Sequence, residues 1–437
     1  MQAIRPRAFL ALVTALALAA PVQAQRITDE QAAATAKAAL EAAPVFDGHN
    51  DVPNQLRSRL NNQINGFDFA DTLTPADPET TAPPMHTDLK RLRAGKVGAQ
   101  FWSVYVGHTD NEPVAVQQTI EQIDVTKRLI ARYPADMRYA DSAEQVEIAM
   151  GEGRIASLLG IEGGYSIGSN LGVLRQFYAM GVRYMTLTHN FNTPWADAAT
   201  DAPKHNGLTD FGKDVVREMN RIGMLVDLSH VSEKVMHDTL DVARAPVIFS
   251  HSGARAVTAH PRNVPDSVLQ RLPENGGVVM VVALPRFINE ELRQWDARRA
   301  GEIARLRVVH LGNPAAADAA LKEWLAANPE PKSPLTDVAD HIDHIRKVAG
   351  IEHIGIGADY DGMPTGPVGM EDVSGYPALF TELARRGYSQ VELELIASRN
   401  ILRAMRDAET YARGAADQLP IESVIQPRIA INPAAIR

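Results

Sequence analysis

Histidine and carboxylate side chains stand at the ends of short apolar runs that lie far apart in the chain. The first run contains His49 and Asp51, two residues apart, and three later runs end in Glu162, His230 and His251. Side chains two apart on a strand point to the same face, so His49 and Asp51 could form one metal-binding arm. A histidine simply hydrogen-bonded by its neighbouring carboxylate is the plainer alternative.

The chemistry that these five side chains could perform is metal-assisted hydrolysis. The chain has no cysteine, which argues against a structural zinc site. Glu162 has two oxygens and could bridge two ions. Two cations about 3.5–4 Å apart could share a hydroxide nucleophile. Zinc is the favoured ion, with manganese or cobalt as alternatives. The competing interpretations are a Glu162–arginine pair and two buried, hydrogen-bonded histidines at 230 and 251.

The apolar runs predict eight buried strands that alternate with helical segments. Buried strands separated by helices indicate a parallel sheet covered on both faces. Eight such units predict an α/β fold of the (β/α)8 TIM-barrel type, with an open doubly wound sheet as the alternative. The predicted strands are 44–51, 97–106, 155–162, 184–190, 224–230, 246–251, 277–284 and 354–359.

Two stretches interrupt the alternation. Residues 61–85 are rich in Asn, Asp, Thr and Pro and predict a surface loop after the first strand. Residues 287–334 predict a charged helical insertion between the seventh and eighth strands, which could be a lid, an oligomer contact or a solvated decoration. The residues from about 410 onward are aperiodic and predict a surface tail. We therefore expect residues 25–437 to form a single barrel domain.

The composition and net charge limit which kinds of binding partner are expected. The chain has 437 residues, is 45% hydrophobic and carries a net charge of -9. This charge, together with the lack of a basic run, argues against nucleic acid as a partner. Without cysteine, packing rather than disulfides must stabilise the protein.

The amino terminus has the pattern of a secretory signal over residues 1–24. Arg5 and Arg7 precede an apolar run over 8–20, and Val22-Gln23-Ala24 has the small residues of a cleavage site. A lone membrane anchor is the alternative, but this run is too short to span a bilayer. We therefore expect export, most simply to a bacterial periplasm, with no stable membrane anchor after cleavage.

A second histidine cluster looks like a metal site but is predicted not to be one. His341 and His344 are three residues apart, with Asp340 and Asp343 beside them. They fall in a helix that leads to the eighth strand, so we expect them to face solvent or the far end of the barrel.

Several motifs in order resemble the membrane (renal) dipeptidase family, over about residues 40–405. Each motif spans several residues, so the match is far more specific than a single His-x-Asp pair. The motifs are Asp47-Gly48-His49-Asn50-Asp51, Gly160-Ile161-Glu162-Gly163-Gly164, Leu187-Thr188-His189-Asn190, Asn192-Thr193-Pro194-Trp195-Ala196-Asp197, Asp227-Leu228-Ser229-His230-Val231-Ser232, Phe249-Ser250-His251-Ser252, Arg262-Asn263-Val264-Pro265-Asp266 and Gly357-Ala358-Asp359-Tyr360-Asp361-Gly362.

The resemblance implies a zinc-dependent dipeptidase on an amidohydrolase-like barrel. It implies two zinc ions, with Glu162 shared between them. His49 and Asp51 would complete the first site, and His230 and His251 the second. A dipeptide substrate, tolerance of a C-terminal D-amino acid and a homodimer are also implied. The chain lacks the cysteines of the animal members, so we do not expect their covalent dimers, and we expect no lipid anchor either; Ser398-Arg399-Asn400 stands where the family has Gly-Gly-Asn.

The resemblance also implies roles for three residues beside the metal ligands. His189 would contact the substrate and stabilise the oxyanion. Arg262 would bind the substrate's free carboxylate with its planar guanidinium. Asp359 would transfer the proton, with Asp361 as the alternative acid. Catalysis is thus assigned to Glu162, His189 and Asp359. The plainer alternatives are a core histidine, a surface ion pair and a helix cap.

The function predicted from the sequence is therefore that of an exported binuclear zinc dipeptidase. Two alternatives stay open. One is a related barrel amidohydrolase that acts on another amide, a lactam or an ester. The other is a non-catalytic periplasmic binding protein that has kept the barrel.

Overall fold

The computed structural model describes residues 27–73 and 83–425. The predicted signal segment, residues 1–24, lies outside the described residues. Within them, no helix combines the length and the apolar character needed to cross a membrane.

Within the described residues, nine parallel strands build the core. They are β1 (Val45–Asn50), β2 (Val97–Tyr105), β3 (Met137–Tyr139), β4 (Ile155–Glu162), β5 (Val182–Thr186), β6 (Leu225–Asp227), β7 (Val247–Ser252), β8 (Val278–Val281) and β9 (Ile354–Ile356).

Eight of these strands close into a barrel. The order is β1-β2-β4-β5-β6-β7-β8-β9, and β9 pairs with β1 to close the ring. The short strand β3, which the sequence pattern did not reveal, pairs only with the start of β4. The predicted (β/α)8 barrel is therefore confirmed, and the open doubly wound alternative is wrong.

Helices surround the barrel and cover its strands. They are α1 (Asp29–Ala42), α2 (Val52–Leu60), α3 (Leu89–Ala94), α4 (Glu112–Arg132), α5 (Ala143–Gly151), α6 (Leu171–Ala179), α7 (Asp210–Ile222), α8 (Glu233–Val242), α9 (Asp266–Leu269), α10 (Leu272–Asn275), α11 (Pro285–Ile288), α12 (Glu290–Val309), α13 (Pro314–Ala327), α14 (Leu335–Ala349), α15 (Tyr376–Arg385), α16 (Gln390–Glu394) and α17 (Asn400–Gly414). Short 3-10 turns lie at Gly164–Ile167, Ile351–His353 and Val373–Gly375, and a π turn at Leu395–Arg399.

Side-chain oxygens begin many of these helices. Thr28 and Gln31 form a capping box before α1, and Thr209 caps α7. Such caps satisfy backbone N–H groups that the first helical turn leaves free, and each contributes about 1 kcal/mol.

Several strands end earlier than predicted. The runs predicted as 184–190 and 224–230 leave the sheet at Thr186 and Asp227, and those predicted as 277–284 and 354–359 leave it at Val281 and Ile356. Beyond the end of β6, a side chain accepts some of the backbone N–H groups. Asp227 Oδ1 accepts the N–H groups of Ser229 and Ser250 at 3.0 and 2.8 Å, in place of the strand ladder.

The predicted helical insertion lies between β8 and β9, the seventh and eighth strands of the barrel. It consists mainly of α12 and α13, whose Trp295 and Trp324 rings lie 6.2 Å apart. Trp295 Nε1 donates to the carbonyl of Asn328 at 3.0 Å. The helix α17 continues to Gly414, a few residues into the predicted tail, and its buried residues Ala404, Met405 and Ala408 precede that tail.

Candidate active site

The strands deliver the predicted ligands to one end of the barrel. His49 lies near the end of β1, Glu162 is the last residue of β4, and His251 lies near the end of β7. Parallel strands of a barrel share one carboxyl edge, where enzyme sites of this fold lie. The loops that follow β1, β5, β6 and β9 add Asp51, His189, His230 and Asp359.

The Glu162 carboxylate lies at the centre of the cluster. Its Oε1 lies 2.9 Å from Nε2 of His230 and 3.4 Å from Nε2 of His251. Its other oxygen, Oε2, lies 3.5 Å from Nε2 of His49, which is 3.3 Å from Asp51 Oδ2. One oxygen of this carboxylate thus faces His230 and His251, and the other faces His49.

The ligand atoms are close enough to share cations. Three overlapping groups have all their ligand atoms within 4.8 Å of one another. All five predicted ligands fall into these groups, and so do His189 and Asp359. The groups are His49 with Glu162 and His251, Glu162 with His189 and His230, and His49 with Asp51 and Asp359.

Hydrogen bonds fix the orientation of the His49 ring. Nδ1 of His49 lies 2.9 Å from Tyr184 Oη, and that hydroxyl donates to the Gly48 carbonyl at 3.3 Å. Because Tyr184 has a single proton to give, His49 Nδ1 must be the donor, which in the neutral ring leaves a lone pair on Nε2. That buried Nε2 has no hydrogen-bond partner. A cation would satisfy it, so the donor set fits a metal ion.

A similar relay holds His251. Ser250 Oγ donates to Asp227 Oδ2 at 2.6 Å and lies 2.8 Å from Nδ1 of His251. The Nδ1 proton therefore goes to Ser250, and Nε2 keeps its lone pair towards Glu162. No motif in the sequence predicts these supporting roles of Tyr184, Asp227 and Ser250. The available signal was a polar side chain inside an otherwise apolar buried strand.

Unusual backbone conformations aim two of the site residues. His230 and Asp359 have φ angles of 70° and 71°, in the left-handed region that favours glycine. Such conformations cost about 1–3 kcal/mol each and occur often at functional sites. Gly362 fits between two acids, because a Cβ there would collide with the carboxylates of Asp51 and Asp359.

Burial and charge set the protonation states around Glu162. Burial lowers the pKa values of His230 and His251 well below the usual range, so both rings are neutral, as metal ligands must be. Burial opposes ionisation of Glu162, yet the neighbouring imidazoles of His49, His189 and His230 hold its pKa well below the usual range. Burial also raises the pKa of Asp359 well above its usual range.

A cleft of about 320 Å³ opens over these ligands. This volume suits a small ligand of the size of a dipeptide. Its walls combine ligands and acids with apolar and amide side chains. The lining residues are Asp51, Asn54, Tyr105, Glu162, His189, Asn190, His230, His251, Arg262, Leu284, Phe287, Asp359 and Gly362.

Arg262 is a buried cation at the wall of this cleft. Its side chain is 1% exposed, and its guanidinium carbon lies 5.3 Å from the centre of the Phe287 ring. Within residues 27–73 and 83–425 it forms no ion pair, and its Nε and Nη1 have no hydrogen-bond partner. Burial lowers the pKa of Arg262 to about 10. The arrangement is therefore not a surface ion pair, and it leaves donors free for an anion.

His189 and Asp359 face the same cleft. Nε2 of His189 lies 3.9 Å from Glu162 Oε1, and its ring centre lies 4.8 Å from that of Tyr105. Asp361, the alternative acid, points elsewhere: its Oδ1 accepts the backbone N–H of His86 at 2.9 Å, and it does not line the cleft.

The prediction for the second histidine cluster was partly wrong. Asp340 and Asp343 bind Arg386, and His344 binds Asp266, so the cluster does not converge. His341, however, is fully buried and does not face solvent. Helices of such barrels run antiparallel to the strands, so the first half of α14 lies near the carboxyl edge rather than the far end.

Comparisons with known proteins agree with this geometry. The family model described as membrane dipeptidase (Peptidase family M19) matches residues 33–419. Among solved structures, the probable dipeptidase PvdM from Pseudomonas aeruginosa is 25% identical, with a TM-score of 0.71 over 88% of this chain and 100% of that one.

Two further solved structures share the fold at 23% identity. Dipeptidase AC, a metallo peptidase, gives a TM-score of 0.67 over 84% of this chain and 99% of that one. A metallo peptidase from Rhodobacter sphaeroides, liganded with a phosphinate mimic of the dipeptide L-Ala-D-Ala, gives 0.65 over the same shares. The family match covers nearly the whole barrel and all the site residues. The chain therefore belongs to the membrane dipeptidase family, peptidase family M19, and is a metallodipeptidase.

Proposed function

We propose that this dipeptidase is an exported enzyme with two zinc ions, and that its substrates include dipeptides with a C-terminal D-amino acid. One ion would lie on His49, Asp51 and Glu162, and the second on Glu162, His230 and His251. The observation that carries this proposal is that the two carboxylate oxygens of Glu162 face different histidines. Its Oε2 faces His49, and its Oε1 faces His230 and His251.

The donor chemistry supports zinc. Neutral imidazole and carboxylate are common zinc ligands, and the relays through Tyr184 and Ser250 are the supporting hydrogen bonds that such ligands need. Bound zinc would supply Lewis acidity and an activated water.

Arg262 would hold the carboxylate end of the substrate. Its unpartnered Nε and Nη1 form part of a planar fork that matches a carboxylate. Because the side chain is almost fully buried, the ion pair would form with little water around it and would be correspondingly strong. The fork orients the peptide bond towards the Glu162 cluster and selects substrates with a free C-terminus.

His189 and Asp359 would handle charge and protons at the peptide bond. Burial lowers the pKa of His189, so its neutral ring can donate an N–H to the carbonyl oxygen as negative charge grows there. The carboxylate of Asp359 would accept a proton from the attacking water and return it to the nitrogen of the leaving amine. Burial, which raises the pKa of Asp359, favours this proton-accepting role.

Substrate stereochemistry and cellular location extend the proposal. The Rhodobacter sphaeroides metallo peptidase binds a mimic of L-Ala-D-Ala, which supports D-residues at the C-terminal position here. The charged, apolar and small-residue pattern of residues 1–24 supports export to a periplasm. A homodimer is proposed from the family resemblance alone.

The direct test measures metal content together with hydrolysis of Gly-D-Ala and Gly-L-Ala. We expect two zinc ions per chain, hydrolysis of both dipeptides, and loss of both activities after chelation. A lactam and an ester serve as comparison substrates. Turnover of these alone would favour another amidohydrolase, and metal binding without any turnover would favour a binding protein.

A further inference from the structure

One continuous segment connects a proposed zinc ligand to the proposed carboxylate-binding residue. It comprises residues 252–264, called the 252–264 segment; it follows His251 near the end of β7, contains Arg262 and leads into α9. Because Arg262 lacks a fixed ion-pair partner among the described residues, its own side chain does little to hold it in place. The position of the guanidinium therefore depends on the backbone of this segment and on the Phe287 ring beside it.

His341 of α14 bonds to the first part of this segment. Its Nδ1 accepts the backbone N–H of Ala254 at 2.8 Å. A ring nitrogen that accepts carries no proton, so in the neutral ring the proton lies on Nε2. That Nε2 lies 3.2 Å from the Ile288 carbonyl and 3.3 Å from Thr258 Oγ1.

The Ile288 carbonyl belongs to a different element that borders the cleft. It lies in α11, one residue after Phe287, whose ring contacts Arg262. Asn263 makes a parallel connection, because its Nδ2 donates to the Phe287 carbonyl at 2.7 Å and its Oδ1 accepts the N–H of Gly253 at 2.9 Å. The buried imidazole thus links the backbone on both sides of Arg262.

The fit around this imidazole is tight. A Cβ placed on Gly253 would lie 2.6 Å from His341 Nδ1 and 2.7 Å from Asn263 Oδ1. His341 is fully buried, and so is Asn263. There is no free space for the His341 ring to move into, so a shift of this ring would also move the segment that contains Gly253.

We propose that His341 is a positioning residue for Arg262, which sets the distance between the carboxylate-binding fork and the metal ligands by linking the 252–264 segment to α11. The inference rests on the proposed role of Arg262 as the carboxylate-binding residue. It gives His341 a part in substrate selection although the side chain does not line the cleft.

The test compares Gly-L-Ala with Gly-L-Ala amide, which lacks the free carboxylate. We define carboxylate selectivity as the ratio of kcat/KM for the two substrates. His341→Leu removes both hydrogen bonds, His341→Asn keeps an acceptor for Ala254, and His341→Gln keeps a donor for Ile288. Arg262→Met shows the effect of losing the fork itself.

The matched control is His353→Gln. His353 is also a buried histidine bonded to a backbone carbonyl, that of Gly277 at 2.7 Å, but it lies before β9 at the opposite end of the barrel. It reports what loss of a buried histidine does to stability alone. Zinc content is measured for every variant.

We expect His341→Leu to lower carboxylate selectivity at least about tenfold, mainly through KM, with zinc content unchanged. The selectivities of His341→Asn and His341→Gln should lie between those of His341→Leu and the wild type. If His341→Leu does not fold, these two variants test the positioning role. His353→Gln should lower Tm without changing the selectivity.

The outcomes separate the two proposals. If all the His341 variants that fold keep the wild-type selectivity while Arg262→Met loses it, the positioning role is overturned. The proposed function is then unaffected. Unchanged selectivity in Arg262→Met shows instead that the carboxylate is bound elsewhere, which removes the basis of both.

Discussion

Tyr184 Oη lies 2.9 Å from Nδ1 of His49, deep inside the barrel and below the cleft. Both side chains are fully buried, so the contact is shielded from water. It fixes which ring nitrogen of His49 carries the proton, and it points the free lone pair at Asp51 and Glu162.

Replacing Tyr184 by phenylalanine should therefore weaken metal binding without disturbing the fold. Loss of such a supporting hydrogen bond typically lowers metal affinity about 10–100-fold. Competition with a zinc chelator measures the change. Tyr388→Phe is the matched control, since its hydroxyl bonds Asp343 at 2.7 Å on the outer helices. Equal zinc affinities in the two variants would contradict the role assigned to Tyr184.

His230→Ala and Asp51→Ala should each abolish turnover and reduce bound zinc. Each removes a ligand from one proposed site while the strands keep their packing, so the circular dichroism spectrum should remain that of the wild type. Zinc analysis and a dipeptide assay on the same samples check this. His237→Ala, which changes a more exposed histidine that faces Ser267, is the control. Full activity in either ligand variant would refute the proposed metal site.

Gly362→Ala should damage the site through one added methyl group. The new Cβ would collide with the carboxylates of Asp51 and Asp359, which must then move apart. We expect kcat to fall by about a hundredfold, since small displacements in an active site are costly. Gly301→Ala in α12 is the control: its Cβ meets nothing within 4 Å, so we expect stabilisation of up to about 1 kcal/mol and unchanged turnover.

Acidification should destabilise the fold through His341. Burial lowers the pKa of His341 to about 4, whereas histidine in the unfolded chain has its ordinary pKa of 6.5. Its contribution to stability is therefore present above pH 6.5 and is lost as the pH falls towards 4.

Urea unfolding of metal-free protein at pH 7 and pH 4.5 measures this contribution. His341→Asn cannot titrate, so the wild type should lose more stability than the variant, by on the order of 2 kcal/mol. An equal loss in both proteins would show that other groups carry the acid sensitivity.

Sequence patterns could predict the barrel and the convergence of several side chains, because both follow from periodicity. The spacing of His49 and Asp51 and the apolar run before Glu162 are local signals. Since parallel strands share one edge, local signals are enough to place such residues close together.

The rest of the site depends on geometry that no local pattern encodes. His230 and Asp359 reach the cleft through left-handed backbone conformations. A positive φ at a residue other than glycine cannot be predicted from the sequence alone. Tyr184 looks like any core residue of a strand. The burial of His341 follows from how α14 packs against the 252–264 segment, a contact between residues 87 apart in sequence.

The helices α12 and α13 have a consequence for how the family diverges. Only Ala317 is buried in α13, and the longer α12 buries just Leu292, Trp295 and Leu306. A side chain substituted on the outer side of this pair faces solvent, so the substitution has little effect on the stability of the barrel. Substitutions can therefore accumulate in residues 290–327 at the pace of an exposed loop, while the strands beneath remain constrained.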